Sequence, residues 1–111
     1  MEILDDPERE FAASVFLQLE VLPQAVFNKR VAESAFYDAF FSTVTHWATN
    51  LDDVTSIAMR EASTNGVEAL DALHVAAAAS VGASELITTE KPSRSIHRAR
   101  AIKIVTIHPD G

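Results

Sequence analysis

The chain contains no cysteine, so it can form neither disulfide bonds nor thiolate metal sites. Only three of its 111 residues are glycine, and none belongs to a glycine-rich phosphate-binding loop, which disfavours a nucleotide-binding α/β domain. No apolar run is as long as a membrane span, and the first ten residues, MEILDDPERE, are acidic and unlike a signal peptide. The sequence therefore predicts a cytoplasmic protein that does not cross a membrane.

Basic residues are few and unevenly placed. The formal net charge of −7 argues against a broad nucleic-acid-binding surface, because affinity for phosphates comes mainly from lysine and arginine. Five of the nine basic residues nevertheless fall in one short stretch: Lys91, Arg94, Arg98, Arg100 and Lys103. Such a stretch is usually a solvated face, but beside acidic residues it also suits a site that holds a phosphodiester against a metal.

Residues 66–92 are the part of the chain around which the rest is organised: GVEALDALHVAAAASVGASELITTEKP. The pattern predicts a helix, a tight stop, a short strand and a loop. The helix has almost no polar face, so we expect it to be buried nearly all round. Gly82 is placed as a helix C-cap residue, and residues 85–88 form a short apolar run typical of an interior parallel strand.

Two carboxylates, Asp71 and Glu90, stand out against this apolar background. A lone ionised carboxylate is costly to bury, so it normally comes with a partner, a proton or a metal. Taken singly, Asp71 could favour the positive end of the helix dipole, and Glu90 could be a solvated loop residue. In open α/β sheets, however, ligands bind outside the carboxyl ends of the strands, where Glu90 is expected.

The remaining pattern alternates between helices and strands. Further helices are predicted at residues 15–22, 31–45 and 51–63, strands at 10–13, 44–48 and 102–107, and a single turn at 95–99. Ser14 and Asn50 are the expected N-caps, and Pro23 should end or kink the first helix. Residues 1–4 resemble the end of a helix that residues 5–7 break. The alternation predicts an α/β fold with a parallel sheet, in a single domain over residues 1–111.

The helix at residues 31–45 has an unusually wide apolar face. Its members are Ala35, Phe36, Ala39, Phe40 and Val44, and Tyr37 and Phe41 extend it. Plain core packing explains such a face. Because large aromatic residues are enriched in interface cores, a dimer surface is the alternative.

Three carboxylates, Glu20, Asp71 and Glu90, are expected in apolar surroundings, the first of them inside the helix at 15–22. Oxygen ligands in a chain without cysteine suit magnesium or manganese and not zinc. Such an ion can activate a water molecule and stabilise charge on a phosphoryl group during hydrolysis.

The order ALDALHVAAA, LITTEKP and IKIVTI resembles the latter part of a PIN domain, most closely the small VapC-like kind of prokaryotic toxin–antitoxin ribonucleases. The resemblance implies a three-layer α/β/α fold around a short parallel sheet. It also implies hydrolysis of single-stranded RNA with Mg²⁺ or Mn²⁺ bound by Glu20, Asp71 and Glu90, whose carboxylates Thr88 would orient. By the same resemblance Lys91, Arg94 and Arg98 would contact RNA, an antitoxin protein would be a partner, and the chain would form a homodimer.

The chain departs from the PIN pattern at two places. Glu90 stands where the family usually has the shorter aspartate. PIN domains also open with a strand that carries the first metal-binding aspartate, followed by a helix, and no such unit precedes Glu10. We therefore expect a chain that lacks this unit, exposes two sheet edges and has weak or no activity. Three origins would explain such a chain. Its start could be placed at an internal methionine, it could be the decayed remnant of a toxin, or it could be a protein that a partner completes. A non-catalytic PIN-like protein-binding module is the alternative function.

Overall fold

The computed structural model describes residues 10–88 and 90–109 and has a mixed α/β composition, as expected. Its elements are β1 (Ala12–Ser14), α1 (Val15–Phe27), α2 (Val31–Thr43), β2 (His46–Ala48), α3 (Leu51–Asn65), α4 (Ala69–Ser80), β3 (Glu85–Thr88), a 3-10 helix (Ser95–Arg98) and β4 (Lys103–Thr106). The predictions for residues 1–7 lie outside the described residues. The chain divides after Trp47 into two compact units, which are called the N-terminal and C-terminal units below.

Helix α1 of the N-terminal unit begins as predicted but ends later. The Ser14 hydroxyl accepts the N–H of Leu17 at 3.3 Å, which confirms Ser14 as the N-cap. The helix does not stop at Pro23, because it continues to Phe27. A proline removes one helical hydrogen bond, and the burial of Ala25, two residues further on, helps to offset this loss.

Helix α2 turns only part of its predicted apolar face inward. Phe41 is buried, and its ring contacts those of Phe40 and Trp47 at centroid distances of 5.4 and 6.0 Å. Ala35, Phe36 and Ala39 of that face are exposed, so core packing does not explain these three residues. The inward stripe includes Tyr37, Phe40, Phe41 and Val44, all members of the predicted face.

Tyr37 lies on this inward stripe and donates a hydrogen bond to Oε1 of Glu33 at 3.3 Å. Burial raises the pKa of Tyr37 above its ordinary value of 10.0, and the negative charge of Glu33 raises this pKa further. Glu20 makes a smaller contribution in the same direction to the pKa of Tyr37. Because folding raises the pKa of this phenol, its protonated form stabilises the folded state. This contribution is complete at pH values below the pKa of the unfolded chain. That stabilisation is lost as the pH rises through the folded pKa.

The Tyr37 pKa can be measured without interference, since this is the only tyrosine of the chain. We expect the absorbance change of phenol ionisation to have its midpoint above pH 10.0 in the folded protein and to return to about 10 after unfolding in urea. Glu33→Gln should move the folded midpoint back toward 10.0. Asp52→Asn, an equal charge loss in the first turn of α3, is the control and should leave it unchanged. Equal midpoints in folded and unfolded protein would contradict the prediction.

The C-terminal unit is built on the packing of α3 against α4. Asn50 caps α3, since its side-chain oxygen accepts the N–H of Asp53 at 3.1 Å, as predicted. The interior of the unit includes small and β-branched side chains: Val54, Ala58, Ala72, Val75 and Ala76. Helix α4 is therefore buried over its middle turns, as expected. Leu70 in its first turn is an exception, because 45% of its surface remains exposed.

Gly82 ends α4 as the sequence predicts. Its φ of 72° is left-handed, its N–H donates to the carbonyl of Ala79, and the N–H of Ala83 donates to the carbonyl of Ala78, both at 3.1 Å. These two bonds form a Schellman motif, which satisfies carbonyls that the helix end leaves free. The chain then turns directly into β3.

Strands β3 and β4 pair in parallel, with Leu86 opposite Ile104. Both side chains pack against a core cluster of Val75, Ile96 and Ile102. Within the described residues β3 has β4 as its only strand neighbour, so the interior position predicted for it is not observed. Strands β1 and β2 form a second small sheet. Across the described part of the chain, no helix has both the length and the apolar composition needed to span a bilayer.

Candidate functional site

The carboxyl ends of β3 and β4 hold the backbone of Glu90 in place. Thr88 and Thr106 are opposite each other at these ends. The N–H of Glu90 donates to Oγ1 of Thr88 at 3.1 Å, and Oγ1 of Thr106 donates to the carbonyl of Glu90 at 2.7 Å. Nε2 of His97 lies 3.2 Å from the same carbonyl oxygen. Glu90 is thus fixed at the carboxyl edge of the sheet, where the strand prediction puts it.

The carboxylate of Glu90 is paired with Arg94. Nε of Arg94 lies 3.5 Å from Oε2 of Glu90, and its Nη2 lies 3.5 Å from Oε2 of Glu68, the residue that precedes α4. The N–H of Glu68 donates in turn to the hydroxyl of the buried Ser95 at 3.0 Å. Arg94 therefore bridges two carboxylates and brings the first turn of α4 beside the carboxyl edge of the sheet.

Asp71 lies in this first turn of α4, near the helix start as predicted, but it is only half-buried. Glu20 belongs to the N-terminal unit, and the apolar surroundings expected for it are not observed, because it is exposed and so is its neighbour Leu19. The inward face of α1 includes the residues at 17, 21 and 25, which are spaced four residues apart. Positions 19 and 20 fall outside that stripe.

The described side chains do not form a ready metal centre. Over residues 10–88 and 90–109, no group of three or more histidine, aspartate or glutamate side chains is arranged to hold a metal ion. The cation paired with the Glu90 carboxylate is Arg94. Within the C-terminal unit, Asp71 and Glu90 are therefore not joined in such a group.

The three side chains predicted to bind RNA differ in their surroundings. Lys91 is exposed beside Glu90, and Arg94 is engaged with carboxylates as described above. Arg98 donates from Nε to the carbonyl of Asn65 at 3.0 Å and from Nη2 to the carbonyl of Gly66 at 2.6 Å. Arg98 is therefore a cap for the C-terminal end of α3, where cations are favourable.

Glu61 is the polar residue that sequence reasoning missed. Only 3% of its surface is exposed, and its carboxylate accepts the backbone N–H groups of Arg100, at 3.0 and 3.1 Å, and of Ala101, at 2.8 Å. Nδ2 of Asn65 donates to it as well, at 3.1 Å. One signal could have found it: Glu61 follows Val54 by seven residues and Ala58 by three, so a charge stands on the apolar stripe of α3.

Comparisons with protein-family models, with curated proteins and with solved structures give no match. The chemistry of the site is therefore inferred from its own residues. Its edge offers the carboxylate of Glu90 and the exposed side chain of Lys91, and the first turn of α4 beside it contains Asp71. Oxygen ligands suit a hard divalent cation, and an exposed lysine suits a phosphate group.

Proposed function

We propose that this chain is a VapC-like PIN domain that hydrolyses phosphodiester bonds of single-stranded RNA with Mg²⁺ or Mn²⁺. The supporting observation is Glu90, fixed by Thr88 and Thr106 at the carboxyl edge of a parallel strand pair, beside the helix turn that contains Asp71. The proposal includes a three-layer α/β/α arrangement and a cytoplasmic location. An antitoxin protein and a second copy of the chain are its proposed partners.

Some of the proposed residue roles are supported by contacts in the structure, and others come from the sequence alone. Asp71 and Glu90 are the proposed metal-binding carboxylates of the C-terminal unit. The hydroxyl of Thr88 positions Glu90 by accepting the backbone N–H of Glu90. Glu20 is assigned to the metal from the sequence alone. Lys91 is exposed and can meet an RNA phosphate directly, whereas Arg94 and Arg98 would first have to leave their present contacts. A bound divalent ion would supply an activated water and charge stabilisation at the phosphate.

Cleavage of single-stranded RNA in the presence of Mn²⁺ tests the proposal. We expect Asp71→Asn and Glu90→Gln each to lower the cleavage rate by at least about 10- to 100-fold, because each removes a proposed metal ligand and the loss of a residue that merely supports a ligand already costs that much. Asp52→Asn, which makes the same chemical change at an exposed position of α3, should leave the rate unchanged. Mn²⁺-dependent cleavage that survives both substitutions would reject the assigned roles.

A non-catalytic protein-binding module is the second candidate, and exposed apolar side chains favour it. Leu19 and Val26 on α1 and Phe27 at its end are 70%, 66% and 85% exposed. The face of Phe36, Phe40 and Phe41 expected from the sequence is a weaker choice, because Phe41 is buried. Large exposed apolar side chains suit a protein partner, either an antitoxin or a second copy. A binding module would give no cleavage above the metal-free control and no thermal stabilisation by Mn²⁺.

A further inference from the structure

Asn65 is the last residue of α3 and Gly66 is its C-cap, and together they are the only asparagine–glycine pair in the sequence. Asparagine is chemically labile, most of all before glycine, because no side chain hinders the glycine nitrogen. This nitrogen attacks Cγ of the asparagine, so that an N–Cγ bond forms and the Cγ–Nδ2 bond breaks. The leaving NH₂ group takes the proton of the attacking N–H and departs as ammonia. Water then opens the succinimide ring and leaves aspartate or isoaspartate at the position.

The fold requires glycine at position 66. The φ of Gly66 is left-handed at 69°, and a Cβ placed on it would lie 3.1 Å from Nη2 of Arg98. Any other residue would therefore be strained there. A bulkier neighbour that would slow the reaction is thus excluded, and protection of Asn65 has to come from its own contacts.

The contacts at this helix end oppose formation of the ring. Ring closure requires the ψ of Asn65 to leave the helical range and the N–H of Gly66 to become free, but that N–H donates to the carbonyl of Glu61. The leaving amide is also held, because Nδ2 of Asn65 donates to Oε2 of Glu61 at 3.1 Å. Arg98 fixes both carbonyls of the pair through its bonds from Nε and Nη2. Ring closure thus breaks bonds to Glu61 and to Arg98 at the same time.

We infer that Asn65 is a deamidation site that the capped end of α3 protects, and that its conversion weakens the hold of Glu61 on the segment before β4. Conversion replaces the Nδ2 donor by a carboxylate oxygen, which repels the Glu61 carboxylate. Only 3% of Glu61 is exposed, so water screens this repulsion poorly, and the same Oε2 accepts the N–H of Arg100 at 3.0 Å. Isoaspartate also places an extra methylene in the main chain at the helix end. This modification does not depend on the proposed function.

Peptide mapping by mass spectrometry follows the conversion at each asparagine during incubation in mildly alkaline buffer. We expect Asn65 of the folded wild type to convert at least about tenfold more slowly than Asn65 of the chain in guanidinium chloride, because its contacts must first open. Asn28 and Asn50 precede lysine and leucine, and in the denaturant both should convert more slowly than Asn65. Equal rates at Asn65 with and without denaturant, or a faster conversion of Asn28 or Asn50 in the denaturant, would overturn the inference.

Arg98→Gln tests whether the capping arginine protects the site. We expect it to raise the rate at Asn65 in buffer about tenfold, since the population of the opened helix end increases. Arg60→Gln removes an exposed arginine from the same helix and should keep the wild-type rate. Circular dichroism establishes that both variants are folded under these conditions. A rate in Arg98→Gln no higher than in Arg60→Gln would contradict protection by Arg98.

Asn65→Asp copies one product of the reaction and tests its consequence. We expect it to lower the folding equilibrium constant about tenfold more than Asn28→Asp, which makes the same change at the C-cap of α1. The excess should shrink when Glu61→Gln is also present, because the repelling charge is gone. Equal losses in Asn65→Asp and Asn28→Asp, or an excess that Glu61→Gln leaves unchanged, would overturn the link to Glu61.

Discussion

Replacing Glu61 by alanine should lower the free energy of unfolding by about 3 kcal/mol, because the loss leaves buried backbone N–H groups without an acceptor. The carboxylate now accepts the N–H groups of Arg100 and Ala101, which lie 39 and 40 residues further along the chain. It thereby fastens α3 to the segment that leads into β4. Urea denaturation followed by circular dichroism measures the effect.

Two further variants test whether the expected loss of stability is specific to the Glu61 carboxylate. Glu61→Gln keeps the shape but turns an NH₂ group toward backbone donors, so we expect it to recover only part of the lost stability. Asp52→Asn removes an exposed carboxylate from the first turn of the same helix and should cost less than about 1 kcal/mol. If Glu61→Ala and Asp52→Asn are equally stable, Glu61 does not hold the two segments together.

Arg98→Gln should lower the free energy of unfolding by about 1.5 kcal/mol, since hydrogen bonds from a charged donor are lost at a helix end. Arg98 donates to the carbonyls of Asn65 and Gly66, and the φ of Gly66 is left-handed at 69°. The shorter glutamine side chain cannot reproduce both contacts. The same urea denaturation measures the loss.

Arg60→Gln is the matched control for Arg98, because Arg60 is an exposed arginine on α3. We expect it to stay within about 0.5 kcal/mol of the wild type. If Arg98→Gln is as stable as Arg60→Gln, the helix-capping role is wrong. The RNA contact predicted from the sequence then remains as the role of Arg98. The comparison thus separates a structural arginine from a ligand-binding one.

Local signals predicted much of the fold. Ser14, Asn50 and Gly82 mark the helix ends at which the structure places them, and residues 85–88 form β3 as expected. Each of these features depends on hydrogen bonds or apolar spacing within a few residues. Pro23 shows the limit of such signals, because α1 continues beyond it to Phe27.

The sequence by itself determined the helices, the parallel strand and the place of Asp71 and Glu90 at helix start and strand end. Only the tertiary structure decided which acidic side chain is buried, namely Glu61, and which cation neutralises Glu90. The bonds of Glu61 and Arg98 to the backbone span more than thirty residues, and the pairing of Arg94 with Glu68 also depends on the folded chain. Composition and spacing do not specify such partners. Many charged residues look alike in the sequence, and only the folded chain brings particular ones into contact.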